Sequence, residues 1–218
     1  MGLLISVEDL YRDAYKILAE KWRDQRGVGG KVKVEQHTPD EIDTAAKMHK
    51  VIESARRKGC NCVIFVVDQE SHNPSHRDKL QEFQRAFDDL CRNVPDGITV
   101  GFIIAHSCLE CWLLSDVHAI VRYQAGKRGV SYTPDQSSRT ERYTPPQAVE
   151  AITHILRQVA KEKDHRSAKR VKYEKSSSGD IAKKMQDLEV SKRNNRSLNY
   201  FFDRVLCDKD GCEHRQSR

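Results

Sequence analysis

Residues 63–70 read VIFVVDQE, an apolar run that ends in two acidic residues separated by one position. A short, continuous apolar run of this kind is typical of a parallel strand that is buried on both faces of a sheet. We therefore predict a central strand over Val63–Val67, with Asp68 at its carboxyl end and Glu70 two residues later.

The segments around this strand alternate between strand and helix patterns. Further strands are predicted over Leu3–Val7, around Val32 and Val34, and over Ile98–Ala105. Helices are predicted between Glu8 and Gly27, over 38–57 and 78–93, and as a short turn at 109–114, with a loop at 71–75. This alternation predicts an α/β fold with a Rossmann-like, mostly parallel sheet and helices on both faces.

The sequence changes character after Gly126, where it becomes polar and carries three prolines before residue 147. We predict a sheet domain over 1–126 and, over 127–218, a helical, basic C-terminal extension that packs on it. The extension is expected to have a loop at 127–146, a helix over Gln147–Lys163, a final helical region over Ile181–Val190 and Leu198–Leu206, and frayed residues after Lys209.

The composition limits the classes of protein to which the chain can belong. The 218 residues carry a net charge of +6, which favours a polyanionic partner such as a nucleic acid. No apolar run approaches the roughly 20 residues that span a bilayer, and no secretion signal is recognised, so we predict a soluble cytoplasmic protein without membrane contact. The seven cysteines are then expected to be reduced thiols.

Acidic residues follow two of the predicted strands. Glu8 comes directly after the first strand, and Asp68 and Glu70 follow the central one. The carboxyl ends of parallel strands meet at one edge of a sheet, and carboxylate oxygens are the ligands that Mg²⁺ or Mn²⁺ prefers. These acids therefore predict a metal site, although Asp68 also suits a helix cap and Glu8 also suits the first turn of a helix.

The motifs LLISVE (3–8) and VIFVVDQE resemble those of the Toprim superfamily. More specifically, the chain resembles the small stand-alone, RloB-like Toprim proteins encoded beside ABC-type or OLD-type ATPases in bacterial antiviral loci. The segment AHSCLECWLLSD (105–116) matches their most specific motif and places Glu110 and Trp112 on it. Tyr173 with Lys175, and the segment Asn195–Phe202, resemble later parts of the same family.

This resemblance implies a Toprim-like sheet and a Mg²⁺-dependent endonuclease that cuts DNA or RNA, including tRNA, in an antiviral system with an ATPase partner. Glu8 would act as general base or metal ligand, and Asp68 and Glu70 would hold the metal. Glu110 would orient a second ion or a basic side chain, or would be a helix residue paired with an arginine.

Two departures from the family pattern motivate alternative functions. Asp9 follows Glu8 where the family has glycine, and Glu70 stands where it usually has aspartate. The alternatives are a non-catalytic nucleic-acid-binding or regulatory subunit of an ATPase complex, and a phosphohydrolase of small nucleotides. A homodimer is a further assembly that we consider.

Basic residues near two predicted loops are candidates for contact with nucleic acid. The basic residues are Arg77 after the central strand and, in the extension, Lys169, Arg170, Lys172 and Lys175, with Tyr173 between them as a further candidate. The basic side chains suit phosphates and the tyrosine ring suits base stacking, whereas a solvated loop or linker is the alternative. Separately, Cys108 and Cys111 with Cys207 and Cys212 suit either a zinc site or ordinary packing.

Overall fold

The computed structural model describes residues 1–8, 12–69, 74–106, 108–126, 128–136, 139–207 and 211–212. Glu70 lies outside the described residues. For Arg77 and Cys212 the main chain alone is described, so their predicted side-chain roles also lie outside what the structure covers.

The chain forms an α/β fold around one parallel sheet, as predicted from the sequence. The strands are β1 (Leu3–Val7), β2 (Val32–Gln36), β3 (Cys62–Asp68), β4 (Thr99–Ala105) and the two-residue β5 (Gly211–Cys212). Their order in the sheet is β2-β1-β3-β4-β5, and every pair is parallel. The described residues of β5 lie where the sequence analysis expected a frayed end.

Helices connect the strands and make up most of the C-terminal region, which confirms the predicted helical extension. Between strands lie α1 (Asp13–Gln25), α2 (Ala45–Arg57) and α3 (Pro74–Cys91). After β4 come α4 (Leu109–Leu113), α5 (Val117–Ala125), α6 (Pro145–Lys163), α7 (His165–Ala168), α8 (Ser178–Lys184), α9 (Leu188–Asn194) and α10 (Arg196–Arg204). The helix α3 begins at Pro74, inside the segment that was predicted as a loop.

The central strand β3 fills both faces of the sheet because successive side chains point to opposite faces. Ile64 and Val66 pack in a core with α1, α4, α5, α6, α8, α9 and α10. Phe65 and Val67 pack in a second core with α2 and α3. The first core joins β1 to Trp112 and to Phe201, so it extends across residue 126.

The helix α2 begins later than predicted. Thr38 and Glu41 do form a local cap, in which Glu41 Oε2 accepts hydrogen bonds from Thr38 N at 2.7 Å and from Thr38 Oγ1 at 3.2 Å. This cap closes only a 3₁₀ turn at Pro39–Glu41. Thr44 then caps α2 by accepting from Lys47 N. Two threonines that can cap a helix, Thr38 and Thr44, lie close together in the sequence, and α2 begins after the second one.

A disulfide between Cys62 and Cys207 joins the start of β3 to the end of the extension. The prediction that all thiols are reduced is therefore wrong at these two positions and at Cys91, which is also disulfide-bonded. Among the described residues Cys60, Cys108 and Cys111 are free and buried. The sequence could not predict this pair because its members lie 145 residues apart.

Within the described ranges, every helix is too short or too polar to cross a lipid bilayer.

Candidate functional site

The winding of the chain reverses between two neighbouring strands of the sheet. From β1 the chain crosses to β2 on one side, and from β3 it crosses to β4 on the other. In open α/β sheets, ligands bind outside the carboxyl ends of the strands at such a switch point. Here the two strands that flank the switch point are those followed by Glu8 and ended by Asp68.

Glu8 and Asp68 lie at the ends of adjacent strands. Val7 is paired with Val66, so Glu8 is level with Val67 and one residue out of step with Asp68. Neighbouring strands are about 4.8 Å apart, which keeps the two main-chain positions close. Both side chains are half-buried. The two predicted metal ligands that the structure describes are therefore brought to the same part of the carboxyl edge.

The chemical type of these donors fits Mg²⁺. This ion usually binds through one or two carboxylates, together with waters and substrate phosphates. In the part of the chain that the structure describes, no group of three His, Cys, Asp or Glu side chains is placed to hold a metal ion. Glu70, the third predicted ligand, lies outside that part. The described residues thus supply two carboxylates of the predicted set.

Beside Asp68, the edge is built by Gln69 and His106. Asp68 pairs with Ala105, and Gln69 N donates to Ala105 O at 2.9 Å. The Gln69 side chain hydrogen-bonds His106 Nδ1. Burial lowers the pKa of His106, which keeps the imidazole neutral at pH 7. His106 was not predicted from the sequence as a site residue, although it follows β4 as directly as Gln69 follows β3.

Glu110, the other predicted catalytic acid, is held by residues of the extension. Its side chain is 2% exposed. Tyr173 donates a hydrogen bond from its hydroxyl to Glu110 Oε1 at 3.4 Å, and Lys175 Nζ lies 4.0 Å from the same oxygen. The structure therefore joins Glu110 to two predicted site residues that lie more than 60 positions further along the chain. The basic partner is a lysine and not the arginine that the alternative prediction named.

The predicted nucleic-acid-binding residues of the extension separate into two kinds. Tyr173 is buried and its main-chain N donates to Thr153 Oγ1 at 3.0 Å, so its ring offers no open face to a base. The other four side chains are exposed and form a cationic strip: Lys169, Arg170, Lys172 and Lys175. Lys175 brings one end of the strip to Glu110, just beyond β4.

The extension is fastened to the carboxyl edge by a buried hydrogen-bond network. Ser197 Oγ accepts from Trp112 Nε1 at 2.8 Å and from His106 N at 3.1 Å. Ser197 in turn donates to Asn195 Oδ1 at 2.9 Å. The segments 105–116 and Asn195–Phe202 are therefore in direct contact, and α10 holds the residues after β4 in place.

The cysteines that suited a zinc site are not available as one set. Cys207 is bonded to Cys62. Cys108 and Cys111 are buried with their sulfurs 3.6 Å apart. The hydrogen bond with Cys111 is the main cause that raises the pKa of the Cys108 thiol, and burial is the second cause. The raised pKa disfavours the thiolate form that zinc requires. These cysteines serve packing and covalent linkage in the described structure.

No family model, no curated protein and no solved structure matches this chain. The likeness to Toprim proteins therefore remains a prediction from its motifs. Function has to be inferred from the residues at the carboxyl edge of the sheet.

Proposed function

We propose that the chain is a nuclease that uses Mg²⁺ or Mn²⁺ to hydrolyse phosphodiester bonds of DNA or RNA. The observation that carries the proposal is the position of Glu8 and Asp68 at the ends of β1 and β3, on the two sides of the switch point. Ligand sites of parallel α/β sheets occur at this place, and paired carboxylates suit a hard divalent cation.

The residues at this edge have distinct roles in the proposed reaction. Asp68, with Glu70 as the further predicted ligand, holds the cation, which when bound activates water and neutralises the charge of the phosphate. Glu8 serves as a second ligand or accepts the proton of the attacking water. His106, neutral and hydrogen-bonded to Gln69, holds that residue, which directly follows β3, beside the end of β4.

The cationic strip supplies the affinity for a polyanion. Its four exposed side chains meet phosphates, and Lys175 ends the strip beside Glu110 at the carboxyl edge. Helix α8 packs closely against the start of α1, since a Cβ atom added to Gly179 would lie 3.1 Å from Cβ of Asp13. Because α1 follows the carboxyl end of β1, this packing brings the extension to the same edge. A strand of nucleic acid that follows the strip is thereby directed towards Glu8 and Asp68.

The wider setting belongs to the same proposal. The Toprim-like motifs support a stand-alone, RloB-like effector of an antiviral system that works in the cytoplasm with an ABC- or OLD-type ATPase. The first test needs only the purified chain. Plasmid DNA and total tRNA are incubated with Mg²⁺, with Mn²⁺ or with EDTA, and cutting is followed on gels.

The decisive comparison is Asp68→Asn against Asp96→Asn. Both changes remove one negative charge, but Asp96 is exposed in the turn before β4, at the opposite edge of the sheet. We expect metal-dependent cutting by the native chain, a loss of about 100-fold or more for Asp68→Asn, and no loss for Asp96→Asn. Cutting that persists in EDTA or in Asp68→Asn would refute the proposal.

A second candidate is a nucleic-acid-binding subunit without catalytic activity. The observation that favours it is the pairing of Glu110 with Tyr173 and Lys175, which assigns a structural role to an acid of the expected catalytic set. Salt-sensitive binding of DNA or RNA without cutting, even after the ATPase is added, would select this candidate.

A further inference from the structure

The strand β2 is the outermost strand on one side of the sheet, and among the described residues only β1 pairs with it. Its residues, Val32–Gln36, contain no proline and stay in continuous register with β1. The outermost strand on the other side, β5, is only two residues long. Soluble proteins usually shorten, bend or cover outer strands, because their unpaired main-chain groups can pair with another chain. The open flank of β2 is therefore a candidate for pairing with a further strand.

Alternate residues of β2 direct their main-chain groups away from β1. At one end of the strand pair Leu3 N donates to Lys31 O at 2.9 Å, and at the other end His37 N donates to Val7 O at 2.9 Å. In a parallel pair every second residue faces the neighbouring strand, so the odd-numbered residues from 31 to 37 face β1. The main-chain groups that point to the open flank belong to the residues between them: Val32, Val34 and Gln36.

The open flank of β2 is complementary to itself. Antiparallel pairing with a second copy, centred on Val34, places Val34 of one copy opposite Val34 of the other. The same alignment places Val32 opposite Gln36 of the second copy. These are the residues whose N–H and C=O groups point outward, and about six main-chain hydrogen bonds would join the two strands. One alignment therefore satisfies every outward main-chain group of β2.

The charged side chains of β2 match in this alignment as well. Lys33 lies opposite Glu35 of the second copy, and the twofold axis repeats the pair. Opposite charges that face each other across an antiparallel pair stabilise it, whereas like charges destabilise it. Within its own chain Lys33 donates to Lys58 O at 2.9 Å, and Lys58 Nζ pairs with Glu35. A carboxylate has several acceptor sites, so Glu35 can hold both Lys58 and Lys33 of the second copy.

The regions that flank β2 carry charges in the same order as the strand itself. Asp40 and Glu41 are exposed after its carboxyl end, whereas Lys58 lies beside the opposite part of the strand. An antiparallel arrangement therefore lays the acidic end of each copy beside the basic side chains of the other. On the opposite face of β2, Val34 is only partly buried against the core, so a Val34 pair adds an apolar contact at the axis.

We propose that two copies of the chain pair through β2 and form a twofold dimer with one continuous sheet. Twofold dimers in which the same surface of each copy meets are the commonest oligomers of soluble proteins. The carboxyl edges of the two sheets then point in opposite directions, so each copy keeps its own candidate site. The inference does not depend on the proposed nuclease activity.

The test is sedimentation equilibrium of the full chain over the micromolar range, without reductant. Lys33→Glu and Glu35→Lys each place like charges opposite each other, and the double variant exchanges the charges and restores the pair. The matched control is Lys79→Glu, which makes the same change of charge on an exposed side chain of α3. Circular dichroism of each variant reports whether the fold is retained.

We expect the native chain and Lys79→Glu to form a dimer with the same Kd, and each single variant at β2 to raise that Kd by about tenfold or more. The double variant should return to within about threefold of the native Kd. Val34→Pro removes an outward N–H and leaves the hydrogen bonds to β1 in place, so it should abolish the dimer while the chain stays folded.

Three results would overturn the inference. The first is a native chain that stays monomeric throughout the range, which would leave the flank of β2 to a strand of another protein. The second is a dimer whose Kd the single variants leave unchanged. The third is a double variant that dimerises as weakly as the single ones, because Lys33 and Glu35 would then not face each other.

Discussion

His37 shows how a single residue at this edge couples burial to protonation. Its ring is buried between β1 and β2, one nitrogen meets Ser6, and the nearby Glu41 carboxylate only partly offsets the cost of burying a charge. Burial therefore dominates and lowers the pKa to about 4 from the ordinary 6.5. The folded chain holds His37 in its neutral form.

This pKa shift predicts a specific dependence of stability on pH. Because the folded pKa of about 4 lies below the unfolded 6.5, the contribution is complete above pH 6.5 and is lost as the pH falls towards 4. The full loss corresponds to about 3 kcal/mol of unfolding free energy. Urea denaturation at a series of pH values measures it.

The matched variant for this prediction is His37→Gln, which is polar but does not titrate. Its unfolding free energy should fall less than that of the native chain between pH 6.5 and 4. The lowered pKa of His106 contributes equally to both proteins and cancels in the comparison. Identical slopes for the two proteins would show that His37 is not buried as described.

At the scale of elements, the extension carries the exposed cations of the proposed nucleic-acid-binding surface. The segment that follows α7 carries Lys169, Arg170 and Lys172 on its exposed side, while Tyr173 turns inward to Glu110. The buried tyrosine fixes the segment, while the cations face solvent, where Lys172 Nζ lies 3.6 Å from Glu174 Oε1. The same short stretch is therefore both an anchor and the proposed contact surface.

Replacing all three cations of this stretch by glutamine should weaken the binding of polynucleotides, whatever their nucleotide sequence. Each phosphate contact that is lost removes about 0.9 from the slope of log K against log salt for duplex DNA, so the slope should fall by up to about 2.7. Fluorescence anisotropy at several salt concentrations measures both quantities.

A control with the same change of charge is available at the opposite edge of the sheet. Lys31, Arg56 and Arg57 are exposed there and lie before β2 and at the end of α2. Their replacement by glutamine should leave the slope close to that of the native chain. Equal losses in the two triple variants would mean that net charge alone, and not the strip, determines binding.

The elements themselves differ in how far the sequence determines them. Val63–Val67 was predictable because a strand buried on both faces must be apolar throughout. The start of α2 was not, because Thr38 and Thr44 both offer caps and the choice depends on packing. The burial of Tyr173 could not be predicted either, because its hydrogen-bond partner Glu110 is 63 residues away in the sequence.

The candidate site, like the elements, could be predicted from the sequence only in part. The placement of Glu8 and Asp68 at one edge follows from parallel strands and could be predicted. The strand order that sets them side by side at a switch point depends on non-local pairing. The Ser6–His37 pair joins a residue of β1 to the residue that directly follows β2, 31 positions away, and no spacing in the sequence indicates it.

At the scale of the whole molecule, the edge opposite the candidate site is closed by covalent and polar ties. Arg23 is 1% exposed and donates to Met1 O at 2.9 Å, Gly29 O at 2.6 Å and Val205 O at 2.7 Å. The Cys62–Cys207 disulfide lies at the same edge. These contacts thus fix the edge opposite the candidate site, and the proposed ligand site lies at the other edge.

Reduction of this disulfide should destabilise the chain. Closing a loop of 145 residues restricts the unfolded state, and the chain-entropy model gives about 5 kcal/mol as an upper value. Denaturation with and without dithiothreitol should show a lower midpoint after reduction. Cys207→Ser should resemble the reduced chain at this edge, whereas Cys60→Ser, which removes a free thiol, should still respond to the reductant.

The Cys62–Cys207 bond also sets how the molecule responds to mechanical force. When the chain is stretched from its two ends, tension passes through the sulfur bridge and bypasses the segment between the bridged residues, which spans 145 positions. Fully extended, that segment is about 500 Å long. In a single-molecule pulling experiment this length stays hidden until a reductant is added, so the bulk of the fold, from β3 to α10, is shielded from any load applied at its ends.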